Sequence, residues 1–295
     1  MNTREAAPLL SDDDLPGMLA CADRSSTRAQ QHFLIATAAT LSLMAIAAIM
    51  GAIDQPWSAW VGAGAFLAAI ALGALAVTQN LQRTWYDGRA LAESAKSLSW
   101  LYMMRGGALS GPDDKAAETF TARLRALSDE LRDLAYVLPS EGPEITDAMR
   151  AMRGSLLADR RTTYDRARLA NQVEYYRRRG ADHRHHARRF QIATWVAQLA
   201  GLTGALLRAT DVIHVDLLGI GAACAAGLTA WLQTRDHVTT ARAYELTAED
   251  LDRVRRDAPE EDDEAAWGAF VAGAEAAMSR EHVMWIARRG RLRRE

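Results

Sequence analysis

Residues 33–77 read FLIATAATLSLMAIAAIMGAIDQPWSAWVGAGAFLAAIALGALAV, with a single charged side chain, Asp54. The uncharged runs 33–53 and 59–77 each come close to the roughly 20 residues that a helix needs to cross a hydrocarbon core about 30 Å thick. Between them, DQPWS is a short polar turn that contains a proline. We therefore predict a transmembrane hairpin with spans at 33–53 and 59–77.

A second pair of apolar runs, 190–207 and 217–232, repeats this arrangement around the polar connector RATDVIHVD. This pair is weaker, because the third run contains Gln191 and Gln198 and the fourth run is short. We predict a second transmembrane hairpin with spans at these positions. A hairpin buried inside a soluble helical domain is the alternative.

Positive charge is distributed asymmetrically around the four runs. Basic residues precede the first and third runs and follow the second and fourth: Arg24, Arg28, Arg83, Arg89, Lys96, Arg105, Arg177, Arg178, Arg179, Arg184, Arg188, Arg189, Arg235 and Arg242. The two connecting turns instead carry Asp54, Asp211 and Asp216, with Arg208 at one edge. The positive-inside bias predicts that both termini and residues 80–189 are cytoplasmic.

Composition narrows the class of protein. The chain has 295 residues and a net charge of −2, which gives no overall attraction to nucleic acid. Its two cysteines, Cys21 and Cys224, are far apart, so neither a disulfide framework nor a zinc cluster is expected. Asp12, Asp13 and Asp14 stand where a signal peptide would be basic. We predict no signal peptide and a disordered, cytoplasmic segment over residues 1–24.

The remaining segments are typical of helices, and no strand-like alternation is present. Helices are predicted over 84–104, over an amphipathic segment 116–138, and from a cap at Thr146 toward the third span. A further helix should continue from the fourth span to about Arg255, and a last one should run over 265–288. PSEGP at 139–143 divides the chain into two similar units, 25–139 and 140–295. The predicted fold is an all-α integral membrane protein with long cytoplasmic helical extensions.

One helical stripe beyond the second span carries Trp85, Arg89, Glu93, Lys96 and Trp100, which fall within about 80° of arc. Its charges are spaced to pair along the helix. At about 1.5 Å per residue, a straight helix places Trp100 roughly 35 Å beyond the second span, where it must be buried against protein. We interpret these residues as an assembly stripe. A solvated charged face with one exposed tryptophan is the alternative.

The stripe also carries a resemblance. The pattern W-x-x-x-R-A-x-A-E-S-x-K-x-x-x-W-x-Y after a span hairpin, from Trp85 to Tyr102, resembles the SLATT domain, a two-span effector domain of bacterial nucleotide-second-messenger systems. YDRARLANQVEYYRRRGADHRHHARRF before the second hairpin and FVAGAEAAMSREHVMW after it are similar to another subfamily of the same group. The resemblance covers roughly residues 25–290.

The resemblance implies an oligomeric effector of the bacterial plasma membrane that forms a pore or perturbs the bilayer when a partner senses a nucleotide-derived signal. It implies a homo-oligomer and a separately encoded nucleotide-sensing or nucleotide-synthesising protein, since this chain has no Gly-rich phosphate loop. A non-conducting membrane scaffold that recruits a soluble partner is the alternative function.

Polar residues are scarce within the predicted spans. Thr37, Thr40, Thr194 and Gln198 are the candidates to line a water path, if one exists. Hydrogen bonding between helices without a pore is the alternative. No carboxylate or arginine lies mid-span, which argues against a proton relay or a voltage sensor.

Catalytic and metal-binding signals are weak. His183 and His186 share a helix face, but arginines surround them, so a basic collar at anionic lipid headgroups is favoured over a metal site. Glu275 and Glu281 do not share a face, which favours ion pairing or capping over acid–base catalysis. We expect no enzymatic activity and no cofactor.

Overall fold

A computed structural model of the chain describes residues 10–130, 142–260 and 262–291, with no strand among them. Its helices are α1 (Gly17–Gly51), α2 (Pro56–Thr78), α3 (Leu81–Met103), α4 (Asp113–Glu130), α5 (Asp147–Gly154), α6 (Leu157–Thr163), α7 (Asn171–Ala209), α8 (Leu217–Arg235), α9 (His237–Arg256) and α10 (Glu264–Arg291). Short 3-10 turns lie at Asp12–Asp14 and Gly107–Leu109, and a π-helix spans Tyr164–Ala170.

The predicted runs 59–77, 190–207 and 217–232 lie within α2, α7 and α8, and the run 33–53 lies in α1 except for its last two residues. The structure contains four helical segments long and apolar enough to cross a membrane. α2 begins at Pro56, whose missing N–H is tolerated in the first turn of a helix. The predicted all-α membrane fold with two helical hairpins is confirmed.

The described chain divides into two compact units. The span unit comprises residues 30–82 and 178–245, and the core unit comprises residues 10–29, 83–130, 142–177, 246–260 and 262–291. Each unit therefore contains segments from the first half and from the second half of the chain.

Within the span unit, glycines bring the helices of each hairpin together. A Cβ added at Gly62 of α2 would lie 3.3 Å from the Cβ of Met50 in α1. In the second hairpin, a Cβ at Gly221 of α8 would lie 2.7 Å from the carbonyl oxygen of Ala197 and 2.8 Å from the Cα of Gly201. Such close backbone approach supplies van der Waals contact where lipid gives no hydrophobic drive for helices to associate.

The core unit has one hydrophobic core, to which most of its helices contribute. Its most buried members include Ala22, Ala95, Met103, Phe120, Met149, Tyr164, Leu169 and Val271. Phe120 and Leu124 come from the predicted amphipathic helix, whose described part is α4. Leu131, Leu134 and Leu138 of that predicted stripe lie outside the described residues.

The prediction of a disordered segment up to residue 24 is wrong for residues 10–24. α1 begins at Gly17, and Leu15, Met18, Leu19 and Ala22 are buried in the core. Met18, Leu19 and Ala22 are spaced to lie on one face of α1, and burial of that face explains the order. Residues 1–9 lie outside the described part of the chain.

The predicted helix from Thr146 to the third span begins as expected but is interrupted. The Thr146 hydroxyl accepts a hydrogen bond from the Met149 N–H at 3.2 Å, which makes Thr146 an N-cap. The helix then ends at Gly154, because Ser155 adopts an extended conformation and its hydroxyl donates to the Met152 carbonyl at 2.7 Å. Similarly, Asp236 in a left-handed conformation separates α8 from α9.

Candidate functional site

The stripe on α3 faces the start of α1 within the same chain. The Ser26 hydroxyl donates to the Trp85 carbonyl at 2.9 Å. Near that contact, a Cβ added at Gly88 would lie 3.1 Å from the Cβ of Ser26. The two helices therefore cross closely where α3 has no side chain, and the Trp85 ring stacks on Tyr86 with ring centroids 4.7 Å apart.

Charged residues of the stripe pair along α3 and across to the N-terminal segment. Arg89 pairs with Glu93, one helical turn away, at 2.9 Å, and approaches Asp23 of α1 at 3.8 Å. Lys96 pairs with Asp12 at 2.6 Å, not with Glu93. The partners lie on α1 and the 3-10 turn before it, so the stripe packs within one chain. Its predicted role in assembly between chains stays a prediction.

Trp100 is buried, with 3% of its surface exposed. Its ring lies edge-on to Tyr164, with centroids 5.7 Å apart, and Tyr164 is edge-on to Trp267 at the same separation. These rings belong to α3, the π-helix and α10. Edge-to-face aromatic contacts stabilise a fold beyond the contribution of the buried surface area. Through its contact with Tyr164, Trp100 links α3 to the second half of the chain.

A buried ion pair lies beside this aromatic row. Arg168 of the π-helix donates from Nε and Nη2 to the two carboxylate oxygens of Glu275 in α10, at 3.0 and 2.8 Å. The Tyr164 hydroxyl donates to the same carboxylate at 2.9 Å. Arg168 Nη2 also lies 3.4 Å from the Ser97 hydroxyl of α3. The bidentate geometry is the strongest form of this contact.

Burial and pairing shift two pKa values in this cluster. Burial, reinforced by the negative charge of Glu275, raises the pKa of the Tyr164 hydroxyl well above its ordinary value. Burial alone would lower the pKa of Arg168, but the Glu275 carboxylate outweighs it and raises that pKa. Arg168 is therefore charged, and Tyr164 stays protonated to donate its hydrogen bond.

Three buried N–H groups near this pair have no hydrogen-bond partner: Trp100 Nε1, Arg168 Nη1 and Trp267 Nε1. Buried donors without a partner are rare, because each one forfeits its hydrogen bond to water. The ion pair, the aromatic row and these donors together form a polar centre within the hydrophobic core. The sequence prediction favoured ion pairing for Glu275, but it missed Arg168 as the partner and the burial of both.

Arg153 of α5 is a second buried cation that the sequence prediction did not single out. Its guanidinium donates to the carbonyls of Tyr102, Leu109 and Gly111 at 2.7, 2.9 and 2.7 Å. It also pairs with Asp113 at 2.9 Å. Arg153 thus satisfies carbonyls at the C-terminal end of α3 and in the loop that follows. One sequence signal could have marked it: Arg153 is spaced to lie on the same helical face as Met149 and Met152, and all three are buried.

The histidines before the third span form a cluster with a later residue, His237. Nδ1 of His183 lies 3.0 Å from Nδ1 of His237, and His186 stacks on His237 with centroids 5.5 Å apart. Burial, then His183 and Arg235, lowers the pKa of His237 from 6.5 to about 4. Burial, then Arg235 and Arg179, lowers that of His183. Both histidines lie outside the four spans and are neutral near pH 7.

No group of three or more His, Cys, Asp or Glu side chains that could hold a metal ion occurs among the described residues. The two Nδ1 atoms of His183 and His237 lie within hydrogen-bonding distance, so the pair forms a contact between α7 and α9. One nitrogen donates and the other accepts, so the contact requires at least one neutral imidazole. Arg184 and Glu245 join the same two helices through an ion pair at 2.8 Å.

The polar residues of the spans lie on different helices. The hydroxyls of Thr37 and Thr194 donate to the carbonyls of Phe33 and Phe190 in their own helices, each at 2.9 Å. Thr40 is half-buried in α1, and Gln198 is exposed on α7. Their role as the lining of a water path stays a prediction.

Comparison with known families assigns most of the chain. Residues 16–161 match the SMODS and SLOG-associating 2TM effector domain 3, and residues 164–285 match the SMODS and SLOG-associating 2TM effector domain 1. No curated protein and no solved structure matches the chain significantly. The boundary predicted at residues 139–140 stays a prediction.

Trp100 and Ser97 belong to the first matched segment, whereas Tyr164, Arg168 and Glu275 belong to the second. The buried polar centre thus joins two copies of one domain type, each with its own membrane hairpin. The chain is a tandem SLATT-domain protein, a member of the two-span effector domains associated with SMODS and SLOG proteins.

Proposed function

We propose that this protein is a signal-gated effector of a bacterial nucleotide-signal defence system, which forms a pore or perturbs the membrane when activated. The observation that carries the proposal is that both halves match two-span effector domains. The protein would act in the plasma membrane with both termini cytoplasmic, because the basic residues flank the ends of the hairpins away from their turns.

Conduction would require several copies of the chain. The groove between the spans of one chain is lined by apolar side chains, which offer no hydrogen bonds to water. A water path would instead lie between copies in a homo-oligomer. Thr37, Thr40, Thr194 and Gln198 are the candidates to line it, and Gln198 is exposed on the surface of α7.

The signal would come from a separately encoded protein that senses or synthesises a nucleotide. This role is consistent with a family description that associates these effectors with SMODS and SLOG proteins. The effector itself would have no enzymatic activity. Glu275 is a carboxylate buried in the core unit. It is held by Arg168 and Tyr164 and is not open to a substrate.

A non-conducting scaffold is the second candidate, and the span hydroxyls favour it. Thr37 and Thr194 donate to their own helices, so these donors are already engaged and do not require water. In this alternative the core unit recruits a soluble partner, and the spans serve as an anchor.

The test is membrane permeability of the complete system. In cells that carry the effector with its genomic neighbours, activation should collapse the membrane potential, measured with a voltage-sensitive dye. In liposomes, the activated oligomer should release a small fluorophore. Gln198→Leu should reduce release if α7 lines the path, whereas Thr203→Val, on a different face of α7, should not.

An intact membrane potential after activation, together with binding of a soluble partner to the core unit, would reject the pore and favour the scaffold. Enzymatic turnover of a nucleotide by the purified protein would reject both. Silence of the isolated effector without its partner would not count against gating, so the complete system is the deciding preparation.

A further inference from the structure

The span unit contains an apolar groove with a volume of about 720 Å³ between the first hairpin and α8. Its walls come from α1, α2 and α8, and apart from Leu41, Met44 and Phe66 every lining residue is alanine or glycine. The groove is open at Gly227 of α8, where an added Cβ would meet no atom within 4 Å. Helix packing within the chain therefore leaves this space unfilled.

The length of the groove along α1 corresponds to the thickness of one leaflet of a bilayer. Along α1 the lining runs from Gly51, beside the hairpin turn, to Leu41, which is about 15 Å at 1.5 Å per residue. That is half of a hydrocarbon core about 30 Å thick. Trp57 and Trp60, at the turn end of α2, are 56% and 82% exposed, as expected of residues at the headgroup level.

We propose that this groove binds an acyl chain of a bilayer lipid from the leaflet that contains the hairpin turns. The lining offers only apolar surface, so an occupant with a buried polar group would leave that group without a partner. An acyl chain has no such group, and its headgroup would remain at the level of Trp57 and Trp60. Small residues let the chain contact the helix backbones closely.

The main competing occupant is a helix from a second copy of the protein. Such a helix crosses both leaflets, about 30 Å, whereas the groove extends along only half of that length. A helix also has a diameter of about 10 Å with its side chains, and it would contact the groove only through the tips of its side chains. The geometry therefore favours the lipid chain, which lies between the hairpins of the two domains.

Photolabelling of the full-length protein tests the proposal. The probe is a phosphatidylcholine with a diazirine on one acyl chain, present in trace amounts in bilayers of phosphatidylethanolamine and phosphatidylglycerol. Label mapped by mass spectrometry should be enriched at groove residues such as Ala63 and Ala226 over Leu67, which is exposed on α2 outside the groove.

Gly227→Leu should abolish this enrichment, because Gly227 lines the groove and the new side chain would occupy it, starting from a Cβ that meets no atom within 4 Å. Gly64→Leu is the matched control. Gly64 lies on α2 outside the groove, and its Cβ would also meet no atom within 4 Å. The control should retain the enrichment. If Gly227→Leu does not accumulate, Ala226→Leu at the same wall replaces it.

Three results would overturn the proposal. One is labelling of groove residues no stronger than that of Leu67. Another is enrichment that persists in both Gly227→Leu and Ala226→Leu. The third is a second copy in the groove: Ala226→Cys, in a chain without Cys21 and Cys224, would then link covalently to another chain through a short bis-maleimide while the groove stays unlabelled by lipid.

Discussion

Arg168 and Glu275 form an ion pair whose side chains are only 2% and 1% exposed. The two residues are 107 positions apart in the chain, and their bidentate contact joins the π-helix to α10. A charge removed from water is stable only with a partner, so each of these side chains needs the other. The pair therefore ties the π-helix to α10 within the second domain, and Arg168 also donates to Ser97 of α3.

We expect Glu275→Ala to lower the free energy of unfolding by about 3–5 kcal/mol, because it leaves the Arg168 charge buried and unpaired. Replacement of the whole pair, Arg168→Met with Glu275→Leu, should recover most of this loss. Thermal unfolding of the detergent-solubilised protein, followed by circular dichroism, measures both variants.

The matched control is the exposed ion pair between Arg177 and Asp252, with N and O 3.1 Å apart and side chains 55% and 34% exposed. Asp252→Ala should cost less than about 1 kcal/mol. Equal destabilisation by Asp252→Ala and Glu275→Ala would show that burial does not strengthen the inner pair.

Trp100→Ala should destabilise the core unit by about 3–5 kcal/mol, since it removes a buried aromatic ring that packs on Tyr164. Trp100→Phe should cost much less, because a ring remains and the unpartnered indole N–H is removed. Melting temperature reports on the fold, and light scattering in detergent reports on the oligomer. Loss of the oligomer at unchanged melting temperature would assign Trp100 to contacts between chains.

Local properties of the sequence predict much of this structure. The length of an uncharged run is such a property, and it predicts all four spans. The burial of Trp100 follows from its distance from the second span. The polar centre depends on contacts between distant segments and could not be located in this way. One signal was available: Glu275 stands on the same helical face as Val271, Ala274 and Met278, and a carboxylate on an apolar face usually has a partner.

The order of residues 10–24 was missed for a related reason. Asp12, Asp13 and Asp14 argue only against a signal peptide, whereas the apolar face formed by Met18, Leu19 and Ala22 is buried in the core and orders the segment. The candidate pore residues could not be assigned for a different reason. Their role depends on neighbours in an oligomer, and neither the sequence nor one folded chain contains that information.

Acid should destabilise the contact between His183 and His237. The folded state holds the pKa of His237 at about 4, below its ordinary value of 6.5. Below pH 6.5 the unfolded chain binds a proton that the folded chain excludes, so stability falls between about pH 6.5 and 4 and is retained above that range. His237→Gln should flatten this part of the pH profile of the melting temperature.

His214→Gln is the control, because His214 is exposed in the turn between α7 and α8. A profile that is unchanged by His237→Gln, or that is flattened equally by His214→Gln, would assign the acid sensitivity to other groups.

Single cysteines test the proposed orientation of the hairpins. Gln55 and Val212 are exposed in the two turns, and Ser110 is exposed between α3 and α4. In a chain that lacks Cys21 and Cys224, Gln55→Cys and Val212→Cys should react with an impermeant maleimide in intact cells. Ser110→Cys should react only after the membrane is opened. Protection of Val212→Cys would mean that the second hairpin does not cross the membrane as proposed.

Gly221→Ala should separate α7 and α8, because the new Cβ would lie 2.7 Å from the carbonyl oxygen of Ala197. Overpacking of this kind typically costs about 1–3 kcal/mol. Gly227→Ala, in the same helix, meets no atom within 4 Å and should leave the stability unchanged or raised. Proteolysis of the variants in detergent compares them, and equal protection would contradict the close approach at Gly221.

The hydrophobic core combines segments from early and late in the chain, so it can close only after α10 has been synthesised. Val271 and Ala274 are buried in it together with Leu91 and Ala95, but they are synthesised well over a hundred residues later. The first hairpin is complete long before α10 exists, so membrane insertion precedes closure of the core. Until then the apolar face of α3 has no α10 to cover it. A nascent chain that stalls before residue 264 would therefore present that face to chaperones and proteases.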